Sequence, residues 1–128
     1  MNTQANTINW FEVPAVDFER AIKFYSAVFG IEMETMDMDG MPMAFFPYEP
    51  GSGKLSGALV KSEMHVPSDS SGVVVYFNGD PDLSDALSRV EGAGGKIIMP
   101  KTEISPEHGY FAYFQDTEGN RVAMHSQA

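Results

Sequence analysis

Two stretches of this chain match each other at a fixed offset, and that duplication restricts the fold more than any other feature. Residues 13–30 read VPAVDFERAIKFYSAVFG and residues 77–95 read FNGDPDLSDALSRVEGAGG. Asp17 and Asp82, Phe18 and Leu83, Ala21 and Ala86, and Gly30 and Gly95 each stand 65 residues apart. That is about half of a 128-residue chain. A half-length repeat predicts two copies of one supersecondary unit that bury their apolar faces together.

Each copy carries the signals of a helix after a strand. Asp17 is an N-cap residue type, able to accept from free N–H groups of the first turn. Glu19 adds negative charge at the positive end of the helix dipole. Phe18, Ala21, Ile22, Tyr25, Val28 and Phe29 fall on one helical face. Gly30 follows, where a left-handed conformation ends the helix. In the second copy Asp82 is the expected cap. Leu83, Ala86, Leu87, Val90 and Ala93 form its inner face, and Gly94-Gly95 the stop.

Strand signals surround both helices. In the first half, residues 8–13, 31–39, 41–48 and 55–62 read as strands, with Asp39-Gly40 a hairpin turn. In the second half, residues 72–77, 96–102, 110–115 and 121–126 do the same. Residues 116–120, DTEGN, form a turn-type run between the last two. The offset of 65 persists here: Phe45, Phe46 and Tyr48 oppose Tyr110, Phe111 and Tyr113. The expectation is one α+β domain over residues 1–128. Module one spans about 7–62, a polar linker about 63–71, and module two about 72–126, each β-α-β-β-β.

Composition narrows the function classes. A formal net charge of −10 argues against nucleic acid and against anionic membranes. With no cysteine there is no disulfide, thiolate metal site or cysteine nucleophile. The opening residues, MNTQANT, are polar and unlike a signal peptide, so a cytoplasmic location is expected.

DFERAIKFYSAVFG after a strand, GGKI after the second helix and DTEGNRVAMHS at the end resemble the vicinal oxygen chelate superfamily. That group includes glyoxalase I, bleomycin resistance proteins and extradiol dioxygenases. The resemblance implies two tandem βαβββ modules forming one curved mixed sheet around a cavity, and a homodimer. It also implies a divalent metal held by His, Glu or Gln from the first and last strands of each module. Counted from the motifs, those positions are Trp10, Ala58, Val75 and Ala123. None carries an oxygen or imidazole donor, so no metal is assigned and no cofactor is expected.

Strand periodicity places Glu12 beside Trp10 and His125 beside Ala123. Glu12 and His125 are therefore candidates for a polar binding or acid/base pair. The expected ligand-binding set is Trp10, Glu12, Ala58, Val60, Val75, Phe77, Ala123 and His125. His65 reads as a solvated linker residue, His108 as part of a turn, and Lys61 as facing away from the cavity. Met33, Met36, Met38, Met41 and Met43 read as core filling or as a deformable wall. Tyr48, Tyr76, Tyr110 and Tyr113 are candidates for the cavity rim. These features point to a metal-free small-molecule binder taking a planar or cationic ligand. A lyase, isomerase or dioxygenase using Glu12 and His125, with or without a divalent metal, is the first alternative. A non-catalytic regulatory or subunit module is the second.

Overall fold

The first half folds as β1 (Trp10–Pro14), α1 (Phe18–Phe29), β2 (Glu34–Met38), β3 (Met41–Phe45) and β4 (Ser56–Val60) in the computed structural model, which describes residues 1–128. The second half follows with β5 (Tyr76–Asn78), α2 (Ser84–Ser88), β6 (Lys96–Ser105), β7 (Gly109–Gln115) and β8 (Arg121–Ser126). The fold is α+β, and the strands divide into two four-stranded mixed sheets. Their orders are β1-β4-β3-β2 and β5-β8-β7-β6. In each, the first strand runs parallel to the last and the other pairs are antiparallel. No helix is long and apolar enough to cross a membrane.

Helix α1 obeys its sequence signals. Asp17 accepts from the Arg20 N–H at 3.1 Å, and Gly30 closes the helix with φ of 63°. Asp39 and Gly40 both take positive φ, 53° and 84°, as a two-residue hairpin turn requires. One apolar residue lay off the expected stripe. Phe24 is fully buried because α1 packs against both modules, and its ring meets Phe114 at 6.2 Å.

Helix α2 departs from expectation. It has only five residues, and its cap position is Leu83, not Asp82. Asp82 instead accepts from the Ser84 N–H at 2.9 Å and from Lys101 at 2.8 Å. The Leu83 N–H is satisfied by Ser126 Oγ at 3.0 Å. Residues 89–94 continue as turns, as three glycines within four residues favour.

The repeat is offset by 65 in the helices and in β8, but by 64 in β5. Glu12 pairs with Ala58, and its counterpart opposite Ala123 is Tyr76. The second module has one more residue between strand and helix. The extra residue rotates β5 by one position, and a one-residue slip exchanges the two faces of a strand. Phe77 therefore does not join the cavity-facing set expected of it, whereas Val75 does line the cavity between the modules. Phe77 is 8% exposed, and its ring meets Phe11, Tyr25, Phe29 and Phe46. Val75 packs onto the same core.

That core, 18 buried residues, draws on both helices and on one face of each sheet. It leaves the opposite, helix-free faces uncovered. The seam between modules is also polar. Asp116, at the start of the β7–β8 turn, accepts from the Tyr25 hydroxyl at 2.6 Å. Glu118 accepts from the Val16 and Asp17 N–H groups at 2.8 and 2.6 Å, and from Arg20 Nε at 2.8 Å. Asn120 Nδ2 donates to the Pro14 carbonyl at 2.7 Å. The DTEGN run of module two thus satisfies the start of α1 in module one, where free N–H groups and the helix dipole favour a carboxylate.

Candidate functional site at the module junction

Strand alternation places Trp10 and Glu12 of β1, Ala58 and Val60 of β4, and Met41, Met43 and Phe45 of β3 on the helix-free face of module one. Ala58, Val60 and Met43 form a small apolar cluster there, separate from the main core. Trp10 remains 37% exposed, with edge contacts to Phe45 at 5.9 Å and Tyr48 at 6.2 Å. Met36 and Met38 are exposed across from Met43 and Met41. They wall this face and do not fill the core.

Glu12 does not pair with His125. Its Oε1 accepts from His65 Nε2 at 2.7 Å, and its Oε2 lies 3.4 Å from Trp10 Nε1. His65 Nδ1 lies 2.6 Å from Ser62 Oγ. The carboxylate only accepts, so Nε2 carries the imidazole hydrogen in the neutral ring. Nδ1 is then the acceptor, and Ser62 donates to it. His65 is no solvated linker residue: Ser62 and Glu12 fix its ring from both sides. The dyad stands between two cavities. Glu12 lines one of about 400 Å³, and His65, Ser62 and Lys61 line another of about 600 Å³. Such an array can hold a ligand donor or relay a proton between Ser62 and Glu12.

Module two presents Tyr76 of β5, Phe111 and Tyr113 of β7, and Ala123 and His125 of β8 on its helix-free face. The Tyr76 and Tyr113 hydroxyls lie 2.8 Å apart, and that bond raises the Tyr76 pKa. Phe111 meets Tyr113 edge-on at 5.5 Å. His125 Nε2 donates to the His108 carbonyl at 2.6 Å, so His125 braces the β6–β7 turn away from Glu12. Arg121 shares the cavity of Glu12.

A sequence profile of the Glyoxalase/Bleomycin resistance protein/Dioxygenase superfamily matches residues 7–124. The chain belongs to this superfamily. A glyoxylase-like domain-containing protein of Didymella fabae is 33% identical over 120 residues, covering 91% of each chain. Glyoxalase I from Zea mays superposes with a TM-score of 0.69 at 20% identity, over 93% of this chain and 44% of the maize protein. The present chain thus spans less than half of that neighbour. A glyoxalase/bleomycin resistance protein/dioxygenase family enzyme from Burkholderia phytofirmans gives 0.67 at 16% identity, over 94% and 98%. At such identities the structural likeness concerns the fold.

The superfamily's metal positions can now be placed by strand pairing. Tyr76 pairs with Ala123 as Glu12 pairs with Ala58, so period two moves the position expected at Val75 to Val74, beside Trp10, Ala58 and Ala123. An indole and three hydrocarbon side chains do not fit a divalent ion, which needs about three oxygen, nitrogen or sulfur donors. No group of three His, Asp or Glu side chains is arranged so as to hold a metal ion.

Ser62, His65 and Arg121 escaped the sequence reading. The Ser-x-x-His spacing of residues 62–65 was visible and suits a local side-chain turn. Arg121 lies two residues before Ala123, so period two placed it on the same face.

Proposed function

We propose that the chain is a metal-free small-molecule binding protein of the glyoxalase/bleomycin resistance type. The observation carrying this is the side-chain chemistry of the four corner positions, Trp10, Ala58, Val74 and Ala123, on an otherwise intact module pair. The aromatic surfaces of Trp10, Tyr48, Tyr76, Phe111 and Tyr113 favour a planar ligand, since stacked and edge contacts reward flat molecules. Glu12, held by His65, offers an oriented polar contact. A homodimer fits the half-exposed apolar side chains on both helix-free faces. A cytoplasmic location fits the absence of cysteine.

Calorimetric titration with Ni²⁺, Zn²⁺, Mn²⁺ and Fe²⁺ tests the reading. Stoichiometric micromolar binding that disappears in Glu12→Ala would overturn it. The Glu12–His65 contact at 2.7 Å favours one second reading, acid/base catalysis on a bound ligand, with His65 in place of His125. Turnover of a bound compound that is lost in both Glu12→Gln and His65→Gln separates catalysis from binding.

A further inference from the structure

We propose that the cavity of about 400 Å³ between the two modules is a recognition site for the carboxylate group of a small organic acid, held by Arg121 and Ser71. The inference rests on the binding-protein reading and specifies the ligand's chemical class.

Arg121 is the first observation. It is partly buried, lines the cavity and forms no ion pair. Its Nε is buried without a hydrogen-bond partner. Protein interiors rarely leave a guanidinium so, because removing it from water without an acceptor is costly. Its main chain is fixed: Arg121 pairs with Gln115 across β7, and its N–H donates to the Ser68 carbonyl at 3.0 Å. The head group is therefore presented from a sheet and not from a mobile loop.

Ser71 is the second. Ser68 Oγ accepts the N–H groups of Ser70 and Ser71 at 3.3 and 3.0 Å, which uses both of its lone pairs. Its own hydrogen is then directed to Ser71 Oγ, 3.1 Å away, in the arrangement that satisfies all three groups. The hydrogen of Ser71 is left to donate into the cavity that Ser71 lines. Arg121 and Ser71 both line this space, and a guanidinium with a hydroxyl beside it is the complement of an oxyanion.

The surroundings choose among anions. Glu12 lines the same cavity and the chain carries −10 overall. A dianion such as phosphate would meet that field twice over, with only one guanidinium in compensation. A monoanionic carboxylate matches the planar guanidinium fork and the single charge. Val13, Val66, Val73, Val75 and Val122 line the cavity beside Ser68 and Asn120, so a hydrocarbon portion of the ligand also finds apolar contact. The cationic ligand expected from net charge alone is not what this cavity offers.

The test is a nitrogen–proton NMR titration of the full chain with benzoate, benzamide, benzyltrimethylammonium and inorganic phosphate. Benzoate should shift the Ser71 amide and the Arg121 Nε–H saturably. Arg121→Gln should weaken benzoate at least about tenfold and Ser71→Ala several-fold. Arg121→Gln should not lower the urea midpoint of the ligand-free protein, because it removes an unpaired charge; a merely structural arginine would lower it. If Arg121→Gln fails to fold, Arg121→Lys keeps the charge, loses the fork and should still bind benzoate more weakly. Benzoate affinity equal to the parent's in both Arg121 variants overturns the carboxylate site. So does binding of benzamide or the ammonium compound in preference to benzoate, although the binding-protein reading then survives. Preference for phosphate overturns the chemical class. A protein blind to all four probes loses both readings.

Discussion

Tyr25 of α1 donates its hydroxyl hydrogen to Asp116 at 2.6 Å, joining one module's helix to the other module's last turn. Both groups are buried, and Asp116 also receives the Glu118 and Asn120 N–H groups and Asn120 Nδ2. Burial, then the neighbouring carboxylate, pushes the Tyr25 pKa well up. Tyr25→Phe should cost about 1.5–3 kcal/mol, the usual loss when a charged acceptor is left short of a donor. Urea denaturation measures it, and an unchanged midpoint would show that the seam contributes nothing.

Glu118 gives the fold an acid-sensitive component. Burial alone would raise its pKa, but Arg20, the Asp17 and Val16 N–H groups and Thr117 outweigh burial and hold it below the ordinary glutamate value. A carboxylate depressed on folding stabilises above its unfolded pKa, and that stabilisation fades as pH falls through the folded value. Asp116 works in the opposite sense. Burial lifts its pKa, so its cost is felt at neutral pH and relieved in acid. Glu118→Gln should therefore lose about 1–3 kcal/mol near pH 7, and the gap to the parent should narrow toward about pH 3. Urea curves at several pH values test this; a gap that stays constant would refute it.

The His65 ring should occupy one tautomer. Glu12 accepts and cannot donate, so long-range nitrogen–proton spectra above neutral pH should show hydrogen on Nε2 and a bare Nδ1. Ser62→Ala should leave that tautomer in place, whereas Glu12→Ala should release a mixture. A mixture in the parent protein would contradict the dyad.

Gly57 lets β1 and β4 lie against each other under the site. A methyl group at Gly57 would collide with the Phe11 carbonyl and its ring. Gly57→Ala should destabilise by about 1–3 kcal/mol, as overpacking does. It should also alter the fluorescence of Trp10, the only tryptophan. Thermal unfolding followed at that residue reads both effects.

On sizing chromatography the 14.0 kDa chain should elute as a dimer. Met36→Asp, on the half-exposed hairpin face, should shift it toward the monomer while leaving the circular dichroism spectrum unchanged. Elution of the parent at its chain mass would refute the assembly.

Local signals carried most of the architecture. Asp17, Gly30 and Asp39-Gly40 each do what their chemistry dictates within a few residues. Long-range consequences were not legible. The face of β5 turned on one additional residue before α2, which a constant offset concealed, so Phe77 was assigned to the wrong side. Phe24 is buried because a second module covers it, and helical periodicity within one module does not register that. The partner of Glu12 lies 53 residues away in a polar linker, where composition predicts solvent. The isolation of Arg121 depends on what fails to surround it, and no motif encodes that.

The hydrogen bonds that fasten Asp116, Glu118 and Asn120 to the β1–α1 segment have no counterpart from module one. The matching stretch of module one, residues 51–55, bonds locally through Ser52 and Lys54. The halves are consequently no longer interchangeable: one supplies a latch and the other receives it. Because the latch closes within a single chain, it commits the helix-bearing surfaces to each other. The outward aromatic and methionine walls stay open on the other side, so a neighbouring molecule can cover them without reopening the core.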